Sequence, residues 1–416
     1  MSFKPSFLTE TSVRATPGEG ARILIYSHDT FGLGHFRRCL KIAKAFRSVY
    51  PESSILIVTG QPQAERYRLP EGVDFIKLPS VVKSGDDQYR PRSLGNSFKQ
   101  IFELRQNLIF EAVRVFNPHL FLVDHSPLGM KGEIKKTLFR VKEQKWPTAL
   151  ILGLRDILDE PKKVCETWRK EGVYPVLENL YDQIFIYGTP ELFDPVSAYS
   201  FGEKARAKTH FTGFITEGKF ASDGDNRTAE SPKRILVTIG GGEDGAEIVE
   251  TYLRMLSTYG KRFQVETTIV TGPFLPEAIR EDFAKKAAGL PVRLEEFVPE
   301  LSSHLQKADL VVSMGGYNTV TEILASAKKA LIIPRVYPRK EQLLRAQKLA
   351  ELGLIRYISP EQLTPECLYE AVSSILKDER EPLVEARKKN LLPLDGAFNL
   401  AELCRPILQA RMGVAK

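Results

Sequence analysis

Short apolar runs that end in polar or glycine-rich turns, each followed by a longer helical pattern, recur along the whole chain, and this alternation constrains the fold more than any other feature. In the first half the runs are RILIYS (22–27), SILIVT (54–59), 73–78, LFLVD (120–124), TALILGL (148–154) and QIFIY (183–187). In the second half they are RILVTI (234–239), 264–270, 292–297, DLVVS (309–313), ALIIP (330–334) and 355–358. Such alternation is the signature of parallel sheets with crossover helices. Between the halves, TEGKFASDGDNRTAESPK (216–233) is too small, polar and charged to bury a core and reads as a linker. At 416 residues the chain also exceeds the size at which one core usually stops growing. The expected class is α/β, with two doubly wound Rossmann-like domains facing each other across a cleft. The expected boundaries are a disordered lead-in over 1–20, a first domain over 21–215, the linker 216–233, a second domain over 234–395, and a C-terminal helix in 396–416 that packs back on the first domain.

Composition narrows the function classes. The 43% apolar and 27% charged content is that of an ordinary globular protein. Cys39, Cys165, Cys367 and Cys404 are widely scattered without a CxxC pair or metal-ligand spacing, as expected of reduced thiols in a cytoplasmic protein. No uncharged apolar run approaches the roughly 18 to 20 residues needed to cross a bilayer. The net charge of +7 suits a phosphate-bearing substrate or an anionic surface. No compact Lys/Arg run with interleaved aromatics accompanies it, so nucleic acid is not an expected partner. The helical run FKQIFELRQNLIFEAVRV (98–115) has a broad apolar face that packs on a sheet. A second reading is peripheral attachment to the inner face of an anionic membrane.

In open α/β sheets, ligands bind beyond the carboxyl ends of the strands, where glycines let backbone N–H groups and a helix N-terminus approach phosphate oxygens. Two turns of the second half fit. After RILVTI come Gly240, Gly241 and Gly242, then Glu243 and Asp244, which would cap the next helix; any phosphate contact there would come from backbone amides. After DLVVS, which ends in Ser313, come Gly315, Gly316, Tyr317, Asn318 and Thr319. Asn318 or Thr319 is the expected N-cap, and Glu322 stands at capping-box spacing from Thr319. The same carboxylate can instead hold both hydroxyls of a ribose. Glu341 and Gln342 open the helix after ALIIP and face the same crevice.

The other strong motif is SHDTFGLGHFRR (27–38). Gly32 and Gly34 supply a tight turn, and His35 falls at a helix N-terminus, where the dipole disfavours imidazolium. A neutral imidazole is the form a general base requires. His28 and Arg37 share this loop-helix segment and are expected to meet the acceptor or a phosphate, as are His125 after LFLVD and Arg155 after LILGL. Asp124 and Asp156 are fallback bases. His119, His210 and His304 have no supporting context and read as structural.

Residues 293–358, including LEEFVPELSSHLQKADLVVSMGGYNTVTEILASAKKALIIPRVYPRKEQLLRAQKLAELGL, resemble the donor-domain core of the MurG-like branch of the GT-B glycosyltransferases. The resemblance implies that Phe297 and Val298 flank a base, that 313–319 approach a diphosphate, that Glu322 holds the ribose, and that Glu341 with Gln342 contacts the sugar. MurG itself has two glutamines at that last place, so an acceptor-only carboxylate here leaves the sugar open. The turn GLGHFRRCL also resembles the GxGHxxRCLxLA pattern of the PseG nucleotide-sugar hydrolases, in which the matching histidine is associated with activating water. The expected activity is transfer of a sugar, an N-acetylhexosamine being one expectation, from a UDP-linked donor to an acceptor left open. Inversion follows from the resemblance, and no DxD pair stands in the loop context that a metal would need. No cofactor is expected beyond the sugar nucleotide as co-substrate. Hydrolysis and non-catalytic sensing of nucleotide sugars are the alternatives.

Overall fold

The computed structural model describes residues 20–28, 34–85, 88–217, 231–298, 301–389 and 391–413; Gly32, residues 1–19 of the lead-in and residues 218–230 of the linker lie outside them. The first sheet contains β1 (Arg22–Ser27), β2 (Ser54–Thr59) and β3 (Val73–Lys77). After a separate antiparallel hairpin, β4 (Val81–Gly85) with β5 (Gln88–Pro91), it continues with β6 (Leu120–Asp124), β7 (Ala149–Arg155), β8 (Gln183–Tyr187) and β9 (Thr209–Phe211). Its order is β3-β2-β1-β6-β7-β8-β9, and its paired strands run parallel. The second sheet comprises β10 (Lys233–Thr238), β11 (Val265–Val270), β12 (Val292–Glu295), β13 (Leu310–Ser313), β14 (Lys329–Ile332) and β15 (Arg356–Tyr357), ordered β12-β11-β10-β13-β14-β15. The hairpin and β9 were not expected from the sequence. The hairpin strands offer only the pair Val81-Val82 and β9 has three residues, so neither carries a longer apolar run.

Both sheets reverse direction of growth once, between β1 and β6 and between β10 and β13. Helices leaving the two strands at such a point diverge, which opens a crevice at the carboxyl ends. Along β1, Ile23 and Ile25 pack toward the helix Gly34–Val49, while Leu24 and Tyr26 pack into the opposite layer with Ile109 and Val113 of the helix Phe98–Phe116. This two-sided burial is why the strands read as unbroken apolar runs. The cluster on the Ile23 side continues into the second domain through Leu236, Val311, Tyr317 and Val320.

The chain ends by crossing back. The helix Gly396–Leu403 lies against the helix Gly34–Val49, and its approach is bonded to the end of the first domain. Phe214 N–H donates to Pro393 O at 2.8 Å, Gly396 N–H to Phe214 O at 3.0 Å, and Thr216 Oγ1 to Leu394 O at 2.6 Å. All four cysteines are free.

Candidate active site

His35 is the second residue of the helix Gly34–Val49, and Arg38 stands one turn later on the same face. Both reach Asp124, the last residue of β6, where β1 and β6 part. Arg38 donates Nε to Asp124 Oδ1 at 2.9 Å and Nη2 to Oδ2 at 2.6 Å, and Oδ2 lies 2.7 Å from His35 Nδ1. Arg38 Nη2 is also 2.9 Å from that Nδ1, and the network decides the tautomer. Burial would raise the Asp124 carboxyl, but Arg38 and His35 outweigh it and hold the group well below the usual carboxylate range. Asp124, which only accepts, and Arg38, which only donates, both face Nδ1; the carboxylate contact is the shorter, 2.7 against 2.9 Å, and assigns the proton to Nδ1. Nε2 keeps its lone pair, has no partner among the described residues, and belongs to a ring that lines the cleft. Burial, partly opposed by the bond to Asp124, pushes His35 down to about 4, so the ring is neutral at pH 7.

The cleft of about 220 Å³ between the domains is lined by His35, Arg37, Arg155, Gly240 to Gly242, Phe297, Val298, Ser313, Gly316, Asn318, Thr319, Glu341 and Gln342, which the sequence singled out. The glycines on its donor side divide by role. Gly242 has φ +90°, and a Cβ there would stand 2.5 Å from Thr271 O, so the residue is fixed by the close approach of two loops. Gly316 has an ordinary φ of −59°, and a Cβ there would meet nothing within 4 Å: its hydrogens face the open cleft.

Three expectations about this side are corrected. The helix Tyr317–Ser326 is preceded by Gly316 as N-cap and has no side-chain cap, so neither Asn318 nor Thr319 fills that position. Asn318 instead reaches across the cleft and donates Nδ2 to Gly34 O at 2.7 Å. Glu243 and Asp244 likewise do not cap the following helix, whose N-cap is Gly245. Asp244 accepts from Arg335 Nη1 at 2.7 Å. Gly315 (φ +81°) is not a donor to the cleft, because its N–H goes to Ser313 Oγ at 3.1 Å and its carbonyl accepts from Arg345 Nη1 at 3.1 Å. What remains for a phosphate is the uncapped first turn at Tyr317 to Thr319, with the positive end of the helix dipole behind it.

Glu322 lies one turn further along, at a second cavity of about 500 Å³ that shares Arg37, Tyr67, Val298 and Leu301 with the cleft. Its Oε1 accepts from Arg37 Nη2 at 2.6 Å and from Lys41 Nζ at 2.7 Å, both on the helix that carries His35. Its Oε2 is buried without a partner. Burial raises this carboxyl, yet Arg37 and Lys41 bring it below its ordinary value, so it is ionised. Phe297 is held edge to face by Tyr67, with centroids 6.1 Å apart, while the Arg66 guanidinium lies 5.4 Å from its ring. Glu341 pairs with Arg335 Nη2 at 2.7 Å and keeps Oε2 buried and unpartnered, and Gln342 Oε1 accepts from Arg335 N–H at 3.0 Å.

Neither fallback base is placed to act as one. Asp124 is fully buried, with both oxygens on Arg38 and one shared with His35, so it orients the histidine. Asp156 is equally buried and takes Arg345 Nε at 2.7 Å and Nη2 at 2.6 Å, an ion pair between the domains. Tyr317 lies between the two systems, its ring centroid 5.4 Å from the Arg38 guanidinium carbon and 5.7 Å from that of Arg345. The rings of His28 and His125 lie 5.6 and 4.8 Å from His35. Burial depresses both strongly, followed by His35 acting on His28 and Arg155 acting on His125. Among the described residues no group of three His, Cys, Asp or Glu side chains is arranged to hold a metal ion.

Arg38, Arg335, Arg345 and Lys41 were not singled out from the sequence, and Tyr317 was named there only as part of the donor turn. Arg38 had a readable signal, since a residue three after His35 on a helix shares its face. Lys41, Arg345 and Tyr317 act across the domain boundary and Arg335 between two loops of the second domain, where sequence spacing carries no information.

Residues 235–398 match the glycosyltransferase family 28 C-terminal domain. The UDP-N-acetylglucosamine–N-acetylmuramyl-(pentapeptide) pyrophosphoryl-undecaprenol N-acetylglucosamine transferase of Alkaliphilus metalliredigens is 23% identical over 358 residues, covering 83% of this chain and 88% of that protein. The protein of the same description from Glaesserella parasuis is 27% identical over 169 residues, 40% of this chain; the chain spans about half of its length, 47%. Among solved structures, MurG of Acinetobacter baumannii superimposes with a TM-score of 0.58 at 12% identity, covering 93% of this chain and 99% of that one. The kitacinnamycin glycosyltransferase does so with 0.62 at 17%, covering 94% and 100%.

Proposed function

We infer, for a chain that belongs to the MurG-like glycosyltransferases of the GT-B fold, that it moves a sugar from a UDP-linked donor to the hydroxyl of a separate acceptor. The observation that carries this reading is the His35–Asp124 pair, which presents a neutral Nε2 to the cleft opposite the uncapped helix at Tyr317. An acceptor hydroxyl at Nε2 gives up its proton as its oxygen attacks the anomeric carbon. The bond from that carbon to the diphosphate oxygen breaks, and the electron pair leaves with the nucleoside diphosphate. Asp124 stabilises the imidazolium so formed, and Arg38 keeps Asp124 ionised throughout. Amides at Tyr317 to Thr319 and the helix dipole take up charge on the leaving group without reorganising, a kind of stabilisation worth about 3–4 kcal/mol where one such donor has been removed from an enzyme. Attack from the face opposite the diphosphate inverts the anomeric centre. The buried, unpartnered Oε2 of Glu322 supports a ribose hydroxyl as its ligand, and that of Glu341 supports a hydroxyl of the sugar. An N-acetylhexosamine as the sugar is supported by the names of the relatives.

Peripheral attachment at the inner face of a membrane belongs to the same proposal. Among the described residues no helix is long and apolar enough to cross a membrane. Leu104 and Leu108, one turn apart on the helix Phe98–Phe116, are exposed, as is Phe139 on the neighbouring helix Lys135–Glu143. Lys131, Lys135, Lys136 and Arg140 line the hollow between these helices. Of the three exposed apolar residues only Phe139 lines that hollow, which Glu143 shares; an aromatic side chain beside four cations suits an anionic bilayer surface.

Incubation with a panel of nucleotide sugars, with and without a cell extract, tests the activity. Consumption that requires the extract supports transfer. Release of free sugar without it would make His35 the activator of water, and binding without consumption would make the protein a sensor.

A further inference from the structure

Of the arginines that line the cleft, Arg37 is paired with Glu322, Arg38 with Asp124 and Arg335 with Asp244 and Glu341. Arg345, behind the cleft, has Asp156. Arg155 has no bonded carboxylate: among the described residues no hydrogen bond or ion pair reaches it, its Nε is buried and unpartnered, and Glu341 acts on it only through its charge. It ends β7, beside the His35 cluster, and its charge is the strongest acting on His125. His125 is itself strained, with φ +70° in a non-glycine residue, and its Nδ1 is buried without a partner, as is that of His28. A half-buried cation without a bonded anion is stabilised when one completes it.

We propose that Arg155, with His125 beside it, is the seat of an anionic substituent of the substrate, a carboxylate or phosphate separate from the donor diphosphate and held next to the reacting hydroxyl. This rests on the transferase reading. The diphosphate has its own seat in the amides of the second domain, whereas Arg155 projects from the first. Burial brings Arg155 down to about 10, with the pull of Glu341 opposing it and the smaller effects of Arg38, Arg345 and Arg339 adding to it, so Arg155 remains charged at neutral pH and an incoming anion meets a cation. The anion belongs either to the transferred sugar, as in a uronic acid, or to the acceptor.

Calorimetric titration of UDP, UDP-N-acetylglucosamine and UDP-glucuronic acid into wild type, Arg155→Met and Arg155→Lys separates the sources. If the sugar carries the anion, wild type prefers UDP-glucuronic acid at least tenfold, Arg155→Met loses that preference, and UDP alone binds all three proteins within twofold, which also reports that the variants fold. If the acceptor carries it, the sugars are not distinguished. Arg155→Met then needs at least tenfold more membrane extract for half-maximal turnover at unchanged donor KM, and Arg155→Lys restores most of the loss. A tenfold weaker affinity of Arg155→Met for UDP itself would assign the residue to the leaving diphosphate and overturn the proposal. So would unchanged sugar preference and unchanged extract dependence. Failure of the wild type to bind any of the three ligands would remove the transferase reading as well.

Discussion

Arg345 of the second domain donates to both oxygens of Asp156 of the first, at 2.6 and 2.7 Å, with both side chains fully buried. Its third nitrogen holds Gly315 O, so one side chain joins the domains and shapes the turn before the donor helix. Removing one partner of such a pair strands the other charge, at a cost of about 3–5 kcal/mol. Arg345→Met is expected to lower the urea unfolding free energy by that amount, and Arg345→Met with Asp156→Leu to recover most of it. A single variant within about 1 kcal/mol of wild type would mean that water reaches Asp156.

Removal of the base should separate chemistry from binding. His35→Ala is expected to reduce transfer by about 10²- to 10⁴-fold, with nucleotide affinity within twofold. Asp124→Asn should lose most of the same rate, because an amide no longer dictates the Nδ1–H tautomer. Full turnover by His35→Ala would take His35 out of the mechanism.

The pH profile carries a sign. His35 acts as a base only when neutral, and its value of about 4 lies below the ordinary 6.5. The acid limb of kcat/KM is therefore expected near pH 4, with activity flat through pH 6.5. A limb at 6.5 would show a ring in water rather than in a buried cleft.

The same shift sets a dependence of stability on pH. Between pH 6.5 and about 4 the unfolded chain protonates His35 and the native state does not, so stability falls as pH falls, by about 1.4 kcal/mol per pH unit for one such proton. His28 and His125, also depressed, act in the same direction. Chemical denaturation of wild type and His35→Gln at pH 5 and 6 reads the difference in slope. Equal slopes would place the His35 ring in solvent.

Gly316→Ala isolates the phosphate seat. The backbone there is ordinary and the added methyl meets no protein atom, so thermal stability should be unchanged. Donor affinity is expected to drop about tenfold, or roughly 1.4 kcal/mol. A stable variant with undiminished UDP binding would move the diphosphate elsewhere. Gly242→Ala, which would crowd Thr271 O, should instead fold poorly.

Apolar runs made both sheets legible. The strand boundaries lie within a residue or two of the runs, because a strand covered on both faces is spelled continuously in Ile, Leu and Val. His35 and the glycines of the donor turns were legible for a related reason, since they follow strand ends where this topology exposes its loops. The capping positions were misread because Asn318 has the chemistry of a cap but is drawn across the cleft to Gly34 O. Asp124 and Asp156 have the same residue type and the same place at strand ends, and only the arginine that reaches each one tells them apart.

The return of the chain through 391–396 has a mechanical meaning. The first domain leaves through 212–217, and the two crossings are bonded side by side at Phe214, Pro393 and Gly396. The two segments run antiparallel, with a bridge between Ile215 and Asp395, so the exit from the first domain and the return to it form one seam. That seam sets the helix Gly396–Leu403 against the helix that carries His35, so the last stretch of the chain braces the helix of the base from the side away from the donor turn.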